Sequence, residues 1–244
     1  MAVSYDGDME LFRTARITIF AGAFGSGKTE LAANFASRLA GSGGKVSLVD
    51  IDIVKPLFRS RELRQRLGER GIKVVSTLTN LEMSDLPALS PEIFGLLGDS
   101  RIETIIDVGG DDDGARALGR FRDNLERAGY EMLYVINTRR PFTSTPDEII
   151  SMMGAVQEAS RLRVTALVAN TNLGAESGID LAREGLPVIG EVSRTTGIPI
   201  RFVVLERGAA CDREGAARLS EESGLPVFVM DRFMLPPWEG FRQS

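Results

Sequence analysis

The segment Gly22-Ala23-Phe24-Gly25-Ser26-Gly27-Lys28-Thr29 constrains this chain more than any other stretch. It matches G-x-x-x-x-G-K-[ST] at every required position, and it lies between an apolar run, Arg16–Ala21, and a helix-like stretch, Lys28–Leu39. Glycines let a backbone curl until its N–H groups converge on one point. The helix that follows adds the positive end of its dipole. Together they predict a cradle for a polyphosphate. Gly22, Gly25, Ser26 and Gly27 form its loop, Lys28 reaches the β- and γ-phosphates, the Thr29 hydroxyl is a Mg²⁺ ligand, and Glu30 continues the first helical turn. The bland alternative is a glycine-rich turn capping an ordinary strand–helix unit, and the agreement of motif and context disfavours it.

The rest of the chain repeats that strand–helix pattern. β-rich runs stand at Lys45–Asp50, Ile72–Ser76, Glu103–Val108, Met132–Asn137, Val164–Asn170, Ile200–Leu205 and Pro226–Met230. Most are continuously apolar, as strands covered on both faces should be. Helix-like segments alternate with them at Ser60–Arg70, Pro91–Gly98, Gly114–Ala128, Pro146–Ser160, Pro187–Thr196 and Arg213–Ser223. The expected fold is a three-layer, doubly wound α/β domain with a mainly parallel sheet, spanning residues 1–244 as one unit. The 244 residues, 43% of them hydrophobic, suffice for one sizeable core. Met1 to Thr14 carries Asp6, Asp8 and Glu10 and lacks the layout of a signal peptide; it reads as a short mobile tail.

Composition removes several chemistries. With no histidine, neither a Ser-His-Asp nor a Cys-His arrangement can be built, and Cys211, the single cysteine, reads as a small packing residue. Zinc sites made of Cys and His are excluded with them. A net charge of −5 argues against a broad nucleic-acid face. No apolar run approaches the roughly 20 residues that span a bilayer, so no membrane contact is expected and the cytoplasm is the expected compartment.

Two acidic sites follow apolar runs: Val49-Asp50-Ile51-Asp52 and Ile105-Ile106-Asp107-Val108-Gly109-Gly110. Ligands of an open parallel sheet bind outside the carboxyl ends of its strands, so Asp50, Asp52 and Asp107 should converge near the glycine loop. Asp107 fits the carboxylate that holds Mg²⁺, directly or through water. Gly110, with Gly109, would let a backbone N–H approach the γ-phosphate. Each of these aspartates also fits an ordinary strand-end turn residue. Asp111, Asp112 and Asp113 read as a solvated acidic turn.

These pieces resemble the nucleotide-binding domain shared by MinD/ParA-type ATPases and CobQ/CobB-type cobyrinic acid synthases, within the SIMIBI class. The residues that carry the likeness are the glycine loop, the D-x-D at Asp50 and Asp52, and the D-x-G-G at Asp107–Gly110. Further stretches resemble a bacterial and archaeal branch known only as ATP-binding proteins: Phe58-Arg59-Ser60-Arg61-Glu62, Arg140-Pro141-Phe142-Thr143-Ser144 and Asn170-Thr171-Asn172-Leu173-Gly174. The resemblance implies that Asp52 orients the attacking water, that Asp50 supports the Mg²⁺ shell, and that Asn170 reads the base. No N-K-x-D pattern selects guanine, so ATP is the expected nucleotide. One departure matters: MinD/ParA-type proteins usually carry a lysine that reaches across a nucleotide-sandwich dimer, and here that position is Ala23. Turnover is then slow, or an arginine substitutes; Arg59 and Arg61, beyond Asp52, are the first candidates and Arg140 the reserve.

The expected function is that of a slow, Mg²⁺-dependent ATPase serving a protein partner in regulation or maturation, with a nucleotide-dependent homodimer possible. A glutaminase-free ATP-dependent synthetase of the cobyrinate or dethiobiotin type is the alternative. A metal carrier is disfavoured by the single cysteine. A nucleotide sensor that does not hydrolyse is indistinguishable from a slow ATPase at this level.

Overall fold

The computed structural model describes residues 3–4, 9–51, 61–76, 91–110, 112–174, 177–208 and 213–233. Among them run nine strands: β1 (Val3–Ser4), β2 (Ile17–Ala21), β3 (Lys45–Ile51), β4 (Lys73–Ser76), β5 (Ile102–Val108), β6 (Tyr130–Ile136), β7 (Ala166–Ala169), β8 (Ile200–Glu206) and β9 (Val227–Met230). They form one sheet in the order β1-β9-β8-β7-β6-β2-β5-β3-β4. Every neighbouring pair is parallel. The helices are α1 (Lys28–Gly41), α2 (Arg61–Glu69), α3 (Pro91–Gly98), α4 (Asp112–Gly119), α5 (Arg122–Ala128), α6 (Pro146–Ser160), α7 (Ile179–Thr196) and α8 (Arg213–Ser223).

Side-chain alternation along the strands sorts the two faces. Phe20, Leu48, Ile105, Phe202 and Phe228 turn to one side and pack with Leu31 and Phe35 of α1 and Leu67 of α2. Ile19, Val49, Ile106 and Tyr134 turn to the other and pack with apolar residues of α3 to α8. Strands covered on both faces need no polar face, which is why their sequences read as unbroken apolar runs. On the α1 side, Phe12, Phe20, Phe35, Phe202 and Phe228 form one aromatic cluster with ring centroids 4.9–5.8 Å apart. Each fully buried Phe contributes about 1.5–3 kcal/mol.

The sheet order fixes where a ligand must sit. The chain leaves β2 for β3, two places to one side, and later crosses from β5 over β2 to β6 on the other. That reversal opens a crevice beyond the carboxyl ends of β5, β2 and β6, and the glycine loop leaves β2 directly into it.

Three elements differ from expectation. Of the tail expected over Met1 to Thr14, the described part from Met9 belongs to the fold: Met9–Leu11 forms a 3₁₀ turn, and Phe12 is completely buried in the aromatic cluster. A large ring with a buried place on offer overrides the acidic residues around it. The helix expected over Gly114–Ala128 is two helices, α4 and α5. The break follows Gly119, where a Cβ would meet the Ser160 carbonyl oxygen at 2.9 Å, and Phe121 turns fully into the core. Finally, α7 starts well before Pro187, which sits inside it. Pro187 is on the exposed side, where water can satisfy the carbonyl that a proline leaves unbonded.

Glu131 of β6 lies at the end of the sheet opposite the glycine loop. Its carboxylate accepts hydrogen bonds from the Thr14 backbone N–H (2.9 Å) and hydroxyl (3.0 Å), with Arg201 at 3.8 Å. Burial nonetheless pushes its pKa above the ordinary 4.5, and the Thr14 bonds and the arginines recover only part of that shift. A carboxyl whose folded pKa is raised holds its proton longer in the folded state. Its contribution to stability is therefore present below about 4.5 and is lost as pH rises through the folded value. Glu131→Gln should remove that loss. Urea unfolding from pH 4 to 7 should show the variant gaining on the native chain as pH rises; a gap that narrows instead would reverse the sign of the shift.

Candidate functional site

The loop between β2 and α1 has positive φ at Gly22, Gly25 and Gly27, at 144°, 75° and 94°. Gly27 shows why the position needs glycine. Besides its left-handed backbone, a Cβ there would overlap the Asn170 side-chain amide. That amide donates to the Ser26 carbonyl at 2.6 Å, so Asn170, at the end of β7 and only 1% exposed, braces the loop from behind. Arg140 braces it from the outer side, its Nε donating to the Gly25 carbonyl at 3.1 Å.

Inside the loop, Lys28 Nζ donates to the Ala23 carbonyl at 2.9 Å, and both residues are buried. Ser26 Oγ is buried with no hydrogen-bond partner among the described residues. A buried hydroxyl without a partner is costly, and an anion seated in the loop would supply the acceptor. Next in sequence, Thr29 Oγ1 donates to Asp107 Oδ2 at 2.6 Å. Asp107, the last residue but one of β5, is in register with Asp50 of β3, so two carboxylates stand side by side on the sheet face that carries α1. Asp50 is fully buried. Hydroxyl and carboxylate oxygens at a polyphosphate cradle are the hard donors that Mg²⁺ takes, one or two from protein and the remainder from phosphate and water. Thr29 and Asp107 fit that ion, with Asp50 behind them.

Gly110 closes over the loop. A Cβ on it would meet the Phe24 backbone N and Cα at 2.7 Å, so the segment after β5 lies directly against the glycine loop. Only a residue without a side chain permits that approach.

A cavity of about 290 Å³ runs from these residues outward. Gly25, Gly27, Lys28, Thr29, Asp107 and Gly110 line its inner end, and Glu30 is also on its wall. Asn172, Gly174, Glu206, Met230 and Arg232 line it as well. The loops after β6 and β7 are tied together at its rim by Asn137, which is fully buried. Its Oδ1 accepts from the N–H groups of Arg139 (3.0 Å) and Asn172 (3.2 Å), and its amide donates to the Asn172 carbonyl at 3.0 Å. Phe142, in the loop after β6, adopts a left-handed φ of 61° and is 71% exposed; Phe24, in the glycine loop, is 72% exposed.

Of the residues expected to carry chemistry, the structure brings together the glycine loop, Lys28, Thr29, Glu30, Asp50, Asp107, Gly110 and Asn170. Asp52 and Arg59 lie outside the described residues, and Arg61 begins α2 with its side chain outside them. The outer wall was missed. Glu206, Met230 and Arg232 stand at or just past the carboxyl ends of β8 and β9, and the rule that located Asp107 applies to them equally.

Residues 17–202 match the family model described as the CobQ/CobB/MinD/ParA nucleotide binding domain. No curated protein matches the chain. Among solved structures, the cell division protein FtsY from Thermotoga maritima is similar, at 22% identity and a TM-score of 0.55 over 85% of this chain and 68% of that one. Chloroplast FtsY from Physcomitrella patens is similar at 19% identity and a TM-score of 0.56, over 89% of this chain and 68% of that one. The signal recognition particle receptor FtsY from Elizabethkingia anophelis, in complex with GDP, is similar at 18% identity and a TM-score of 0.51, over 78% and 57%. At these identities the likeness shows the fold, an α/β P-loop NTPase architecture.

Proposed function

The chain belongs to the CobQ/CobB/MinD/ParA nucleotide-binding domain family, and from that premise we propose that it is a slow, Mg²⁺-dependent ATPase whose nucleotide state is read by a protein partner. The observation that carries this reading is the Thr29–Asp107 contact at 2.6 Å, set at the mouth of a loop whose lysine is buried and held inward. A hydroxyl and a carboxylate so placed suit a metal-bound triphosphate.

In this reading the loop N–H groups and Lys28 hold the β- and γ-phosphates. Thr29 and Asp107 would hold Mg²⁺, which would supply positive charge to the phosphate oxygens. Asp52 orients a water for attack on the γ-phosphorus. A bond forms from that water oxygen, the bond to the β–γ bridging oxygen breaks, and ADP and inorganic phosphate leave. Gly110 carries the γ-phosphate's presence into the segment that opens α4. Ala23 is 4% exposed and its carbonyl is engaged by Lys28, so no side chain from this position crosses to a second copy. Supplementary charge must come from Arg59, Arg61, Arg140 or a partner. Arg140 already lies on the loop. Exposed Phe24 on the cavity wall, and exposed Phe142 two residues past Arg140, support a protein partner or a second copy docking there.

Base choice and catalysis are tested together. ATP should displace a bound fluorescent nucleotide at lower concentration than GTP. Asp52→Asn should keep that affinity and lose turnover. Alanine at Arg59 or Arg61 should lower kcat at least tenfold, about 1.4 kcal/mol, if that arginine meets the transition state. Tighter binding of GTP would overturn the adenine assignment, and equal loss of binding in Asp52→Asn would overturn the role of Asp52. Native turnover in both arginine variants would leave Arg140 or a partner as the source of the missing charge.

A further inference from the structure

Past β9, residues 231–233 form a short strap along α1, whose side chains hold its backbone. The Glu30 carboxylate accepts from the Phe233 N–H. Asn34 donates to the Asp231 carbonyl at 2.8 Å and accepts from the Asp231 N–H at 2.7 Å. Arg38 donates to the Val229 carbonyl and lies over the Phe228 ring, 4.0 Å from its centroid. Glu30, Asn34 and Arg38 are spaced i, i+4, i+8 on one helix face, with a rise of about 6 Å per step. Val229, Asp231 and Phe233 are alternate residues, a step of about 6.6 Å where the chain runs as a strand. The two repeats nearly coincide, so one face of α1 holds the backbone at every second residue, in antiparallel sense.

This arrangement fixes the intervening side chains, Met230 and Arg232, relative to the helix whose first turn carries Lys28 and Thr29. Both line the cavity beyond the phosphate end. Arg232 Nε stands 3.7 Å from Glu206 Oε1, at 26% and 20% side-chain exposure. An arginine alone would suit phosphate as well as a base, but a methionine and a carboxylate beside it suit a nucleoside and not a polyphosphate: a guanidinium is flat, weakly hydrated and stacks on aromatic rings, a methionine fills apolar space, and a carboxylate accepts from hydroxyl or amine hydrogens.

Resting on the nucleotide reading above, we propose that Arg232 is a nucleoside-binding residue, its guanidinium covering one face of a purine with Met230 beside it and Glu206 holding its orientation. The strap is then a wall of the site built by the P-loop helix itself, and nucleoside contact is coupled to the phosphate cradle through Glu30 and Asn34.

The test compares two ligands on the full chain, each with Mg²⁺: a non-hydrolysable ATP analogue and inorganic triphosphate. Arg232→Ala should weaken the analogue about tenfold and leave inorganic triphosphate within about twofold. Arg232→Lys, which keeps the charge and loses the flat face, should weaken the analogue in the same direction. Unchanged triphosphate binding also shows that the variant is folded. Native affinity of Arg232→Ala for the analogue would overturn the inference. So would an equal loss for both ligands, because the strap would then act only through α1 on the cradle. If the native chain binds neither ligand, the nucleotide reading itself falls. If it binds both equally, that reading stands and the nucleoside contact does not.

Discussion

Lys28→Ala is expected to weaken nucleoside triphosphate binding by more than about a hundredfold, roughly 3 kcal/mol, through loss of a charge-assisted contact to phosphate in a shielded site. The physical reason is local. Lys28 is only 7% exposed, and its ammonium is held by the Ala23 carbonyl at 2.9 Å within the loop. Its charge is therefore already inside the cradle and needs little reordering to meet a phosphate. The same substitution should have little effect on folding, because the core contacts of α1 are made by Leu31, Phe35 and their neighbours. Isothermal titration with the ATP analogue, beside a thermal melt, separates the two effects. Retained affinity would mean that the loop is not the phosphate site.

The second large effect is expected at Asp107. Asp107→Asn keeps an oxygen for the Thr29 hydroxyl but removes the charge that a divalent ion needs. Mg²⁺-dependent turnover should fall by about 10²–10³-fold, the scale seen when one electrostatic group is lost from a preorganised site. Nucleotide binding measured without Mg²⁺ should change little or tighten, because a carboxylate near the phosphates has been neutralised. A variant that turns over at the native rate would remove Asp107 from the metal site and leave its bond to Thr29 as fold support.

Much of the inner site was legible because its chemistry imposes spacing. The glycine loop, Lys28 and Thr29 are contiguous, and Asp50 and Asp107 each end an apolar run, so strand geometry alone delivers them to one edge. The fold was legible for a related reason. Strands covered on both faces leave unbroken apolar runs, and α3, α6 and α8 have the bounds that the sequence suggests. What escaped was set by long-range packing. Phe12 is buried by rings from β8 and β9, about two hundred positions away, and no local pattern announces it. The break after Gly119 answers the Ser160 backbone. Asn170 was assigned to the base from resemblance; the structure gives it a bond to the Ser26 carbonyl that no local signal announces. The strap escaped because Glu30, Asn34 and Arg38 look like an ordinary solvated helix face. Only the backbone of Asp231 and Phe233 lying against them shows what they hold.

The central claim is that this cradle binds and cleaves a metal-bound nucleoside triphosphate. It is tested most directly by phosphate release from ATP, followed over hours with the unaltered chain, with Lys28→Ala, and with chelator added. The expected result is slow release, proportional to protein concentration, that disappears both in the variant and without Mg²⁺. Absence of release from the unaltered chain, or release that persists undiminished in Lys28→Ala, would contradict it.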